Sequence, residues 1–146
     1  MSVRIIAKAI FSLLIAVIFI QSLFFKFTAA PETIYIFGTL DTWAADSLGL
    51  DGWFLPPGPF NAYVIGTAEL VASLLLLAGL LFGPWLITGL GALIALGVIS
   101  GAIFFHLFTP LGIEVQGDGG FLFVMACVVW FCAVALLFMT RSAMRP

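Results

Sequence analysis

The sequence predicts an all-α integral membrane protein: a four-helix bundle with both termini cytoplasmic and an amphipathic cap helix in the outer first loop. Three observations carry this expectation. Of 146 residues, 64% are hydrophobic and 8% charged, and the mean hydropathy is +1.29, so the chain lacks the polar groups with which a water-soluble domain covers its surface. Its apolar residues gather into four runs, each close to the roughly 20 residues that a helix needs to cross a hydrocarbon core of about 30 Å. Basic residues stand at both ends, Arg4 with Lys8 and Arg141 with Arg145. An even number of crossings puts the termini on one side, and the positive-inside rule makes that side the cytoplasm. The expectation is one membrane domain, residues 1–146, in the inner (plasma) membrane.

The first helix is expected at about 5–25. Arg4 and Lys8 ahead of an apolar run to Ile20, with Thr28-Ala29-Ala30 behind it, also resemble a secretory signal with a small-residue cleavage site. Pro31 would directly follow the cut and the apolar run continues through Phe24 and Phe25, so the helix is read as retained. Next, over about 31–49, Ile34, Phe37, Leu40, Ala44 and Leu48 recur at three or four, with Glu32, Asp41 and Asp46 elsewhere. Pro31 suits a first helical turn and Glu32 the positive end of the helix dipole. This amphipathic segment is expected to lie on the outer face, with Trp43 and Trp53 at headgroup level. Leu55-Pro56-Pro57-Gly58-Pro59 cannot be regular helix and reads as a stiff lead. Helices at about 60–82 and 85–109 follow, parted by Gly83-Pro84, where glycine permits a reversal and proline starts a helix well. The last is expected at about 119–140.

Between Glu69 and Glu114 the chain carries no Asp, Glu, Lys or Arg. Glu69 itself falls about nine residues into its helix, on the order of 14 Å along the axis. A charge at that depth costs roughly 2.5–3.5 kcal/mol even on a lenient insertion scale, so Glu69 must face protein. Gly66 and Ser73, at minus three and plus four, share its face. His106 ends a face of mostly small residues, Thr88, Ala92, Ala95, Ile99 and Ala102, and Gly97-x-x-x-Gly101 offers a second place for close backbone approach. Gln21 and Lys26 lie toward the outer half of the first helix, with Ser22 four residues before Lys26. Gln21, Lys26, Glu69 and His106 are therefore expected to line one polar pocket beneath the cap, as ligand-binding or proton-relay groups. The competing roles are structural: hydrogen bonds between helices, or long stems reaching for the aqueous boundary.

Several chemistries are set aside. Five basic residues leave little with which to neutralise a run of phosphates, so no nucleic acid partner is expected. Cys127 and Cys132 are five apart on one helix, so their side chains diverge by about 140°, and they read as packing residues. One histidine rules out internal bis-histidine haem, and Glu69 with His106 falls short of a closed zinc site. No metal or covalent cofactor is expected. Gly89 and Gly91 lack the third glycine of a dinucleotide fingerprint. Trp130, midway along the last helix, reads as packing between helices.

Lys26 after an aromatic-rich first helix, then Ala30-Pro31-Glu32-Thr33-Ile34-Tyr35-Ile36-Phe37, Gly66-Thr67-Ala68-Glu69-Leu70, Gly91, His106 and Gly117-Asp118 resemble, in order and spacing, the DoxX family of small bacterial membrane proteins. The resemblance runs from about Ile6 to Leu137. Many members carry a basic residue shortly before the glycine and glutamate of the second helix, where this chain has Asn61, Ala62 and Tyr63. What the resemblance implies is a four-helix inner-membrane protein associated with quinone and redox partners, with no reaction specified.

Two functions follow as expectations. The first is a quinone-site or redox-coupled subunit, with Glu69 and His106 hydrogen-bonding quinone oxygens and a partner supplying electrons. The second is a non-catalytic scaffold or assembly factor for another membrane protein, suggested by 16 phenylalanines, more than a four-helix core buries. A small-acid transporter would need an oligomer.

Overall fold

The computed structural model describes residues 2–144 and contains five helices: α1 (Val3–Phe27), α2 (Pro31–Leu48), α3 (Ala62–Phe82), α4 (Trp85–Phe108) and α5 (Phe121–Ala143). There is no strand among the described residues. Four of the five, α1, α3, α4 and α5, are long and apolar enough to cross a membrane. The chain is thus a helical, multi-pass membrane protein by length and composition. Each boundary falls within three residues of its expected place. Arg145, one of the four terminal charges used to infer topology, lies outside the described residues.

The local reasons for the elements are visible at their ends. Pro31 occupies the first turn of α2, and Gly49 closes it in the left-handed conformation at φ +68°. Asn61 caps α3: its Oδ1 accepts hydrogen bonds from the backbone N–H of Tyr63 at 2.8 Å and Val64 at 3.2 Å. Gly83, at φ +89°, ends α3 where a side chain would be strained, and Pro84 leads directly into α4.

The spanning helices form a ring in which α1 packs on α3 and α5, while α4 packs on the same two from the opposite corner. Ile15, Phe19, Leu76, Val129 and Leu136 fill the centre among Ala72, Ala92, Ala95, Ala126 and Ala133. Small residues set the closest approach, between α3 and α4: a Cβ on Gly79 would lie 2.8 Å from the Thr88 backbone nitrogen. The expected Gly97-x-x-x-Gly101 contact does not form. Neither glycine has anything within 4 Å of where its Cβ would be, because both lie on the part of α4 that turns from its neighbours toward a cavity.

Two further expectations are corrected. On α2 the inward stripe is Thr33, Phe37, Leu40, Asp41 and Ala44, whereas Ile34 and Leu48 are 62% and 55% exposed. Phe37, Leu40 and Ala44 are buried as expected; Thr33 replaces Ile34, Leu48 is left out, and Asp41 joins the stripe because it is satisfied inside. Its carboxylate accepts from the backbone N–H of Phe54 at 2.9 Å and Gly52 at 3.3 Å, so it ties α2 to the segment that follows. Lys8 is not a free topological charge either. It is 5% exposed, and its ammonium donates to the carbonyls of Gly79 at 2.7 Å and Gly83 at 3.1 Å, 4.8 Å from the centre of the Trp85 ring. The negative end of the α3 dipole and its orphan carbonyls give that cation partners.

A second apolar cluster joins Phe37, Leu40 and Ala44 of α2 to Phe54, Ala62, Leu111 and Val115. It sits beside the ends of α1, α3 and α4 remote from Lys8. The candidate site lies between the two clusters.

Candidate functional site

A cavity of about 970 Å³ is walled by parts of all five helices, the 50–60 segment and the turn before α5. Its lining is mostly apolar. Gly97 and Gly101 add no side chains to the α4 wall, which Val98, Ile99 and Ala102 also line, and the rings of Trp43, Phe54 and Phe105 line the cavity as well. Those rings hold one another edge-on, Phe54 with Phe105 at 5.2 Å and Trp43 with Phe105 at 6.2 Å between centres, a preferred arrangement of aromatic quadrupoles. Trp43 and Trp53, expected at headgroup level, both line this cavity, and Trp53 stacks on Phe60 at 5.8 Å.

Gln21, Lys26, Glu69 and His106 all line it. The tertiary fold therefore brings the four expected site residues to one space, but in two separate polar groups. In the first, Lys26 on α1 reaches across to α3 and its Nζ lies 3.1 Å from Glu69 Oε1. The same ammonium donates to Ser22 Oγ one turn earlier on α1. α1 and α3 come close here because Gly66 leaves room for the Phe27 ring, which stacks on Tyr63 at 6.2 Å. Gly66, Glu69 and Ser73 share the buried face of α3, as their spacing requires. Ser73 Oγ donates back to the Glu69 carbonyl at 2.8 Å. Since α3 begins at Ala62, Glu69 lies about 10 Å along the helix, shallower than the sequence suggested. It is 5% exposed, and its second oxygen, Oε2, is buried with no hydrogen-bond partner among the described residues.

In the second group, His106 sits one turn from the end of α4, edge-on to Phe123 with 5.7 Å between ring centres. Its Nδ1 is 2.6 Å from the Gly112 carbonyl oxygen. A carbonyl only accepts, so Nδ1 carries the proton, and in the neutral ring Nε2 is left as an acceptor. His106 and Glu69 each have their own partner, rather than forming one relay. Gln21 is exposed and stands at the margin of the cavity.

Asp118 completes this end of the molecule and carries more than its family-like position suggested. Its carboxylate accepts from the backbone N–H of Val115 at 2.9 Å, Gly120 at 2.8 Å and Leu122 at 2.9 Å. Desolvation works against the charge, but those backbone hydrogen bonds together, with a lesser contribution from His106, hold the carboxyl below its ordinary value. Asp118 thus fixes the turn from Val115 into the start of α5. Asn61, which stands near where the resembled family carries a base, serves instead as the α3 cap. Sequence reasoning missed Lys8, Asp41 and Asp118 as structural anchors. Asp118 alone had a readable signal, an acidic residue next to glycine just before an apolar run. Of the excluded chemistries, the cysteines are free, Cys127 half-buried and Cys132 buried. Trp130 packs toward α4, its indole N–H donating to Ser100 Oγ at 3.2 Å.

No family model, no curated protein and no solved structure matches this chain.

Proposed function

We propose that the cavity binds a flat, lipid-soluble molecule of the quinone class and that the protein is a DoxX-like, redox-associated membrane subunit. One observation carries the proposal: a buried carboxylate oxygen, Glu69 Oε2, with no hydrogen-bond partner among the described residues, at the wall of a largely apolar cavity of about 970 Å³. An orphaned buried acceptor costs roughly 1–3 kcal/mol, and a ligand with a polar edge relieves it. Aromatic rings and the low-relief α4 wall at Gly97 and Gly101 suit a planar body, and His106 supplies a second polar contact. Electrons come from a partner, since the residues present hold no carrier. In this arrangement the termini lie in the cytoplasm of a cell with the protein in its inner membrane, α2 covers the cavity from the outer side, and Gln21 and Lys26 mark the approach from that side. The exposed phenylalanines, such as Phe24, Phe108, Phe131 and Phe138, are spread over α1, α4 and α5, where lipid covers them as well as a scaffold's client would.

The test is calorimetric titration of the purified protein in detergent with a short-chain benzoquinone in both oxidation states. Saturable binding of at least one state is expected, weakened about tenfold by Glu69→Gln or by His106→Ala, the loss of one buried hydrogen bond to a charged or polar group. Binding unchanged in both variants would refute the site.

A further inference from the structure

The cavity is closed at its ends and open at its sides. Phe19, Ile99 and Ala126 belong both to its lining and to the central cluster of the bundle, and they form its floor. Phe37, Leu40, Leu111 and Val115 belong both to its lining and to the cluster against α2, and they form its roof. Between floor and roof, some lining residues are exposed on the surface of the bundle. They come from spanning helices: Phe25 on α1, Gly97 and Phe104 on α4, and Phe121 and Leu122 on α5. What surrounds those helices is lipid, so the open sides of the cavity face lipid tails rather than water.

We infer that the cavity holds an acyl chain of a bilayer lipid, admitted sideways from the membrane, with the headgroup left at a polar rim. Depth supports a chain. The lining residues Ile18 and Gly97 lie about 14 and 16 Å in from the ends of α1 and α4 at 1.5 Å per residue. Half of a hydrocarbon core of about 30 Å is about 15 Å, the reach of one acyl chain. Chemistry supports it too, because a largely apolar space offers ordered water few partners, whereas a tail loses nothing on leaving other tails. The rim is supplied by Glu32 and Gln116, which are exposed and also line the cavity. This inference stands apart from the quinone-class reading: it concerns what fills the space when no other apolar ligand does.

The experiment places the full, unaltered chain in phosphatidylcholine vesicles that contain a phosphatidylcholine with a photoactivatable diazirine near the end of one acyl chain, and maps the adducts by mass spectrometry after illumination. Phe19 and Ala126 are 1% and 4% exposed, so lipid on the outside of the bundle does not reach them. Adducts on these floor residues, beside those on outward residues such as Val17 and Val124, are the expected result. Moving the diazirine next to the ester end of the chain is expected to abolish the floor adducts and to transfer cavity labelling to Phe25 and Phe121. Adducts confined to outward residues with both probes overturn the inference and leave the quinone titration untouched. Floor adducts that persist unchanged when the diazirine is moved overturn the orientation, and with it the headgroup at the rim. Failure of the quinone titration, in turn, has no bearing on where the lipid probes react.

Discussion

Lys26 and Glu69, 43 positions apart in the chain, meet at 3.1 Å where α1 crosses α3. Neither is well solvated: the Lys26 side chain is 15% exposed and that of Glu69 6%. The pair fastens the two helices and at the same time holds one carboxylate oxygen at the cavity wall.

Removing one member should cost more than removing both. Lys26→Met leaves an uncompensated buried carboxylate and is expected to lower stability by about 3 kcal/mol. Adding Glu69→Gln to it should recover at least half of that, since no charge then remains unpaired. Thermal unfolding of the four proteins in one detergent gives the coupling, and strictly additive losses would show that the two do not interact.

The two kinds of glycine in the spanning helices should respond oppositely. Gly79→Ala drives a Cβ to 2.8 Å from the Thr88 backbone nitrogen and is expected to cost about 1–3 kcal/mol as overpacking. Gly97→Ala and Gly101→Ala meet nothing within 4 Å and should change stability by no more than about 0.5 kcal/mol. A bulkier Gly101→Leu should block ligand binding while leaving the melting temperature close to that of the unaltered protein.

Lys8 is expected to be a structural anchor at the opposite end from the cavity. Lys8→Met loses a charged donor to the carbonyls of Gly79 and Gly83 and should cost roughly 1.5–3 kcal/mol, read as a lower melting temperature. Ligand affinity should not move, because the residue is remote from the cavity.

Asp118 gives the protein an acid-sensitive element. A folded-state carboxyl held below its ordinary value of 3.8 stabilises the fold fully above that pH. The contribution is lost as pH falls below 3.8 and through the lower folded-state value. Asp118→Asn should therefore melt below the unaltered protein at neutral pH, with the difference shrinking on acidification below about pH 4. A constant difference across that range would remove the charge from the account.

Much of the architecture was legible because it rests on local rules. The depth cost of Glu69 forced it inward, and the three-and-four spacing put Gly66 and Ser73 on its face, as found. Pro31 and Gly83 mark helix ends through backbone geometry that a single residue dictates. The α2 face was read correctly at Phe37, Leu40 and Ala44 but missed Asp41, because the pattern counts it as a surface residue and only the N–H groups of Gly52 and Phe54, eleven and thirteen positions on, make burial of that carboxylate tolerable. Gly97 and Gly101 were misread for the related reason that a small-residue spacing says a neighbour can come close, not that one does.

By itself, then, the sequence determined that the chain suits lipid, that four of its helices are long and apolar enough to cross a membrane, and that Glu69 needs company inside the protein. Those follow from hydrophobicity, helix length and the cost of burying charge, all properties of single segments. The tertiary structure alone decided what that company is: Lys26 on one carboxylate oxygen and, among the described residues, none on the other, His106 turned by Gly112, and Lys8 drawn from the membrane edge onto the end of α3. Each depends on which long-range partner supplies the missing donor or acceptor, a matter of distance across helices that periodicity along one helix does not contain.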